Sequence, residues 1–308
     1  AAMLKAAVAI IASALLAACA QGATRATEIL AKIDVGASGP CSVAFEAGAA
    51  WATAFRSNEV VRIDPATNAV TRRITTDAGP CGITAGAGAL WVMTNAGNTV
   101  QRIDPASATV SATIPVGAGP YDVLFAFGSV WVTNYADGTI HRIDPATNRV
   151  VRRIRIVGAP AGLAATRSAL WVGDASGKTI VRINPRTNRV VRRVATGGAS
   201  PEWLASRGYF VWAANRLDNS VAKIDERKNR RVALIKRVGR QPVDGGIVAG
   251  SLWVPNQRSN TVVRIHLSRN RVVETVRVGT GPFVVPDHAS ELWVGSFGGR
   301  DIWRLRAG

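Results

Sequence analysis

The chain has 308 residues, 47% of them hydrophobic, so it can bury a substantial core as one large domain or two ordinary ones. Its formal charge is +18, nearly all of the excess arginine, which favours contact with anionic surfaces or polyanions and is silent on fold. Three cysteines exclude a scaffold built on disulfides.

Lys5 precedes an apolar run from Ala6 to Leu16, followed by Leu16-Ala17-Ala18-Cys19. The run suits the apolar region of a signal peptide and is too short to span a bilayer. LAAC resembles a bacterial lipobox, which makes residues 1–18 a lipoprotein-type signal peptide and Cys19 the lipidated residue. The alternative is a plain secretory signal cut nearby. Residues 19–26 then form the lipidated cysteine and a short polar tether, and 27–308 the folded domain.

From residue 40 onward the chain repeats. Proline stands at 40, 80, 120, 160, 201, 242 and 282, and eleven residues after each comes Trp51, Trp91, Trp131, Trp171, Trp212, Trp253 or Trp293. Within a unit the hydrophobic period is two, punctuated by turn residues. In the third copy, Tyr121–Ala126, Val130–Thr133, Thr139–Ile143 and Val150–Ile156 read as four strands. Gly128 lies in the first turn and Asp144-Pro145-Ala146-Thr147-Asn148 supplies turn chemistry before the last strand. Seven such units predict an all-β, seven-bladed β-propeller of four-stranded antiparallel blades. The last copy stops after its third strand, Asp301–Leu305, while Ile29–Gly36 aligns with Val110–Gly117 of the second unit. The N-terminal strand is therefore expected to complete the last blade and close the ring.

The unit WVTNYADGTIHRIDPATNRVVRRI, Trp131 to Ile154, resembles the YVTN-type propeller repeat, and the resemblance extends over residues 27–308. Proteins of this kind are related to the virginiamycin B (streptogramin B) lyase-like propellers. The resemblance implies the fold, and an activity only by analogy, because propellers carry many unrelated functions.

Seven copies allow an internal comparison: positions that recur serve the architecture, and positions that vary are free for a ligand. The seven tryptophans are thus packing residues. Arg62/Asp64, Arg102/Asp104 and Arg142/Asp144 are expected to pair between packed blades, with Lys223/Asp225 a variant and Asn184 and His266 replacing the aspartate. The doublets Arg72–Arg73, Arg152–Arg153 and Arg192–Arg193 fall on outermost strands, as a solvated rim or a basic belt for anionic lipid or nucleic acid. Cys41 and Cys81 hold equivalent places in adjacent blades. A disulfide would suit an exported protein, but two buried small residues are the expectation favoured here, since a bridge requires equivalent strands of neighbouring blades to come close.

In propellers the fourth-to-first and second-to-third strand loops share the face around the channel. Variable positions there suggest a shallow cup of Phe55, Arg56, Tyr121, Asp122, Tyr135, Glu202, Trp203, Arg216, Asp244, Gln257, Arg258, Phe283 and Phe297. Aromatics interleaved with arginine suit planar rings and anions; the alternative is ordinary loop divergence. Asp122, Glu202 and Asp244 are weak candidates for a metal ion. The lyase relatives imply histidine, glutamates and a divalent metal, but His141, His266 and His288 fall at three levels of the ring, so no catalytic residue is carried over. The expected function is an exported, lipid-anchored, monomeric binding module whose partner docks at the channel mouth. The alternatives are a magnesium-dependent lyase and a binder of single-stranded nucleic acid. No cofactor is expected otherwise.

Overall fold

The computed structural model describes residues 26–283 and 290–308; residues 1–18, expected to be a signal peptide, Cys19 and His288 lie outside the described residues. Seven four-stranded antiparallel sheets follow one another in sequence order. Blade 1 comprises Pro40–Glu46, Ala49–Ala54, Glu59–Asp64 and Ala69–Thr75, and the other blades repeat this plan. Blade 7 consists of Pro282–Phe283, Glu291–Ser296, Asp301–Arg306 and, from the other end of the chain, Glu28–Asp34. The closing pair runs from Glu28↔Arg306 to Asp34↔Asp301, as the alignment of the two termini requires.

Local chemistry sets each blade. The inner hairpin of blade 3 turns at Phe127-Gly128, with φ of 52° and 67°. Two successive positive φ values match the twist of the flanking strands, and glycine takes the second at no steric cost. The outer strands are largely exposed, and in blades 1 to 5 the one well-buried residue, near the end, is Ile74, Ile114, Ile154, Val194 or Ile235. All seven repeat tryptophans are buried, none more than 3% exposed. In blades 1, 2, 3 and 6 the indole N–H donates to a carbonyl at the end of the inner strand: Glu46, Gly86, Ala126 and Val248. In these four blades the ring packs in the core while its one polar group is satisfied within the blade.

The Arg-Ile-Asp triplets do a different job from the pairing expected of them. Asp64 accepts from the Ala66 amide at 2.8 Å and from the Thr67 hydroxyl at 3.0 Å, which ties up its carboxylate in its own turn. Asp104 and Asp144 do the same. In blade 6, His266 takes over the role, with Nδ1 accepting from the Ser268 and Arg269 amides. The arginines lie over the tryptophan of their own blade, as Arg142 does over Trp131 at 5.1 Å. They then reach into the next blade's turn: Arg102 to Pro145 O and Asn148 Oδ1, Arg142 to Pro185 O and Asn188 Oδ1, and Arg304 across the closure to Pro65 O and Asn68 Oδ1. Arg62 faces a turn in which Ala108 replaces that asparagine, and it bonds Thr71 instead. The clamp between blades is thus mainly arginine to carbonyl and amide, and Arg182 adds the buried Glu226 carboxylate of the next blade at 3.0 Å.

Candidate functional site

The inner strands crowd around the axis, so the residues just after each recurring proline meet at the channel mouth. Six of the expected aromatics form one continuous run. Tyr135 stacks on Tyr121 with centroids 5.5 Å apart, Tyr121 meets Trp203 at 5.1 Å, and Trp203 meets Phe283 edge-on at 5.1 Å. Phe283 then packs on Phe297 at 5.7 Å and Phe297 on Phe55 at 5.5 Å. Residues from blades 1, 3, 5 and 7 therefore meet in a single cluster. Offset and edge-on contacts of this kind each add about 1 kcal/mol beyond area burial.

The cluster closes the mouth more than the open cup expected. Trp203 and Glu202 are buried, while Tyr135 is 42% exposed and forms the outer lip. Between the rings lies a recess of about 220 Å³ lined by Phe55, Cys81, Met93, Asn95, Tyr121, Trp203, Phe283 and Phe297. Met93 and Asn95 were not among the expected site residues. Asn95 stands in the same variable column as Phe55 and Tyr135, which is the signal that would have found it; its amide donates to Pro120 O at 2.8 Å. Arg56 covers the Phe297 ring at 4.7 Å and donates to Phe297 O. On the other side Arg216 lies 3.4 Å from Glu202. Gln257 and Arg258 sit in the second-to-third loop of blade 6, their amides bonded to Gln241 O and Arg240 O, outside the recess.

The three expected carboxylates have separate employments. Glu202 accepts from the Tyr121 hydroxyl at 2.9 Å and the Ser200 hydroxyl at 2.8 Å, besides its contact with Arg216. Burial, with Glu202 beside it, pushes the Tyr121 phenol well up, so it stays a donor. Asp122 accepts from the Leu163 and Val123 amides, both at 2.8 Å. Asp244, at φ 47°, lines the channel below the recess with Ser42, Thr84, Asp122 and Trp203. That channel cavity is about 440 Å³. Among the described residues no three His, Cys, Asp or Glu side chains are grouped to hold a metal ion. The expected carboxylate set does not fit a divalent cation, since Glu202 and Asp122 already spend their oxygens on protein donors. His141 is buried within blade 3, where desolvation and Arg153 lower its pKa, and it takes no part in the cup.

Asp122 is half-buried in the wall of the channel cavity, and desolvation there raises its pKa to about 7 against the two amide hydrogen bonds that oppose the shift. The unfolded chain releases this proton near pH ~4. Between those values the folded state carries the extra proton, so stability falls as pH rises toward 7 and stays lowered above it, by roughly 4 kcal/mol in the limit. Asp122→Asn should remove this dependence. The difference in unfolding free energy between variant and wild type is expected to move in the variant's favour from pH 4.5 to pH 8 by about 2–4 kcal/mol in urea titrations. An equal difference at both pH values would show that Asp122 does not titrate in this window.

Contrary to the expectation of two free thiols, Cys41 and Cys81 form a disulfide, with Cα atoms 5.2 Å apart. Both stand at the start of an inner strand, where neighbouring blades are nearest the axis, and the fan of the blades has not yet separated them.

No protein-family model matches the chain, and no curated protein matches it in sequence. Solved structures do resemble it. Hydrazine synthase from Kuenenia stuttgartiensis superposes with a TM-score of 0.80 at 14% identity, over 90% of this chain and 97% of that one. Virginiamycin B lyase from Staphylococcus aureus gives 0.79 at 16% identity, over 92% and 100%. A streptogramin B lyase structure gives 0.77 at 16% identity, over 92% and 98%. Likeness at this level of identity establishes the seven-bladed fold, and the lyases share it as the repeat implied.

Proposed function

We propose that the chain is an exported, lipid-anchored propeller that acts as a non-catalytic binding module, taking a flat, partly apolar ligand or partner side chain at its channel mouth. The continuous aromatic run from Tyr135 to Phe55 carries this reading. Arg56, which lies over the Phe297 ring, flanks the run and favours a ligand that also bears a negative charge. A recess of about 220 Å³ is below the usual size of a drug-like pocket, so it suits one ring inserted from above rather than an enclosed molecule. The Cys41–Cys81 disulfide supports export, because such bonds persist in oxidising compartments. In this reading residues 1–18 are the signal peptide, Cys19 carries the lipid and 20–26 tether the ring.

Anilinonaphthalene sulfonate, a planar ring system with one negative charge, is a suitable probe. Its fluorescence should report saturable binding to the wild type, weakened about tenfold or more in Tyr135→Ala/Phe297→Ala, since stacking on one ring is worth about 1–3 kcal/mol. Equal affinity in the two proteins would remove the cup as a site.

The shared fold with streptogramin B lyases supports a second reading, a metal-dependent carbon–oxygen lyase. Incubating the domain with a streptogramin B and magnesium separates the two: ring opening that is lost on chelation would make the protein an enzyme.

A further inference from the structure

The positive charge is gathered in one sector of the ring. Residues 141–240 hold 22 Lys and Arg against 6 Asp and Glu, while the other 208 residues hold 16 against 14. On the face opposite the cup, where the first-to-second and third-to-fourth strand turns lie, this sector carries a groove of about 690 Å³. Phe127, Arg142, Arg167, Ser168, Arg182 and Arg186 line it.

Comparison with the other blades shows how the groove became basic. The turn that begins Asp64-Pro65-Ala66 in blade 1 and Asp104-Pro105-Ala106 in blade 2 is Asn184-Pro185-Arg186 in blade 4. A carboxylate is lost and a guanidinium gained in three residues. In the inner hairpin, Ala47-Gly48 and Ala87-Gly88 correspond to Arg167-Ser168. Arg142 and Arg182 keep their places in the clamps between blades, and Arg182 is neutralised by Glu226 at 3.0 Å, which also accepts from Ser168. Arg167 and Arg186 are exposed and have no carboxylate partner among the described residues. Arg167 lies instead over the half-exposed ring of Tyr209, whose other neighbour is Arg227, and this holds the guanidinium out at the surface. Away from the groove the exposed outer strands of the sector, Arg149–Arg155, Arg189–Ala195 and Arg230–Lys236, continue the positive surface.

We propose that this groove binds a linear phosphate-bearing polymer, with Arg167 and Arg186 taking phosphates and the chain continuing across the basic outer strands. Free guanidiniums present the forked donors that match a phosphate, and the groove is too large for a single ion. The strip of charge beyond it favours an extended polyanion over a compact one.

The test uses the folded domain with fluorescent inorganic polyphosphate and with a fluorescent oligothymidylate, at several salt concentrations. Binding to one or both is expected, with log affinity falling linearly in log salt. Arg167→Ala/Arg186→Ala should weaken it about tenfold or more and reduce the slope by about 2. Arg72→Ala/Arg73→Ala, an exposed pair on blade 1 whose Arg73 is already held by Glu59 at 2.9 Å, should change it by less than about twofold. Polyphosphate binding alone, or both polymers alike, means that phosphate is read by itself; a marked preference for the oligonucleotide adds a contact from the Phe127 or Tyr209 ring. Either supports the groove. No binding at low salt, binding only to anionic vesicles, or equal loss in the two double variants would overturn it. Because the face is opposite the cup, Tyr135→Ala/Phe297→Ala should leave polymer affinity unchanged, and failure of either site says nothing about the other.

Discussion

A chain lacking residues 27–36 should fail to form the native ring at temperatures where the full domain is folded. The segment supplies the outer strand of blade 7, pairing with Asp301–Arg306 across the whole length of that strand. Its removal leaves a row of backbone groups unpaired on an edge that no other strand can reach. Ile33 and Val35 are buried in the cluster that joins Trp293 and Ile302 of blade 7 to Val43, Ala50, Val61 and Ile63 of blade 1. Full burial of each large aliphatic side chain is worth about 1.5–3 kcal/mol. Thr27 adds two hydrogen bonds to Glu274 of blade 6 at 2.8 and 2.9 Å, and Lys32 lies 3.2 Å from Asp301. The summed loss is comparable with the roughly 5–15 kcal/mol that stabilises a typical domain. Point variants make the result specific: Ile33→Ala should cost about 2–4 kcal/mol, whereas Ile29→Ala, at a half-exposed position of the same strand, should stay within about 0.5 kcal/mol. Equal shifts in urea midpoint for the two, or a truncated chain melting with the wild type, would mean that the ring is closed some other way.

The repeat made the architecture legible, because a period of 40 or 41 residues fixed by proline and tryptophan leaves little freedom in strand order. The aromatic cup was legible for the same reason: Phe55, Tyr135 and Phe297 fill a column that varies while its neighbours recur, and the topology brings that column to one mouth. What stayed hidden was the partner of each polar group. Spacing places Arg62 and Asp64 on one strand but cannot say that the Ala66 amide and the Thr67 hydroxyl claim the carboxylate first. Nor does it say that Glu202 would turn inward to Tyr121 and Ser200 rather than out toward a ligand or metal. The cysteines were misjudged because the separation of blades depends on radius, and a repeat unit carries no record of how far from the axis its first residue lies.

Loss of the Cys41–Cys81 bond should cost the ring about 2–4 kcal/mol. The bond closes a loop of 40 residues, and constraint of the unfolded chain by a loop of that length is worth about 4 kcal/mol in the chain-entropy account, less whatever native relaxation returns. Cys41→Ser/Cys81→Ser should therefore lower the urea midpoint, and reduction of the wild type under denaturing conditions should bring it to the same value. Both sulfurs are buried, so reductant applied to the native protein should act slowly. The effect reaches the cup. Cys41 and Cys81 belong to the cluster that packs against Phe55, Phe283 and Phe297, and Thr53 ties the same two blades together by donating to Cys81 O at 2.6 Å. With the bridge gone, blades 1 and 2 lose their covalent link at the floor of the recess. Binding of the planar probe should weaken in the serine variant even at temperatures where it is fully folded. Two free thiols in the denatured, unreduced domain beginning at residue 27 would disprove the bridge. A serine variant that loses stability but keeps full probe affinity would confine its role to the ring and leave the aromatic run to hold its own geometry.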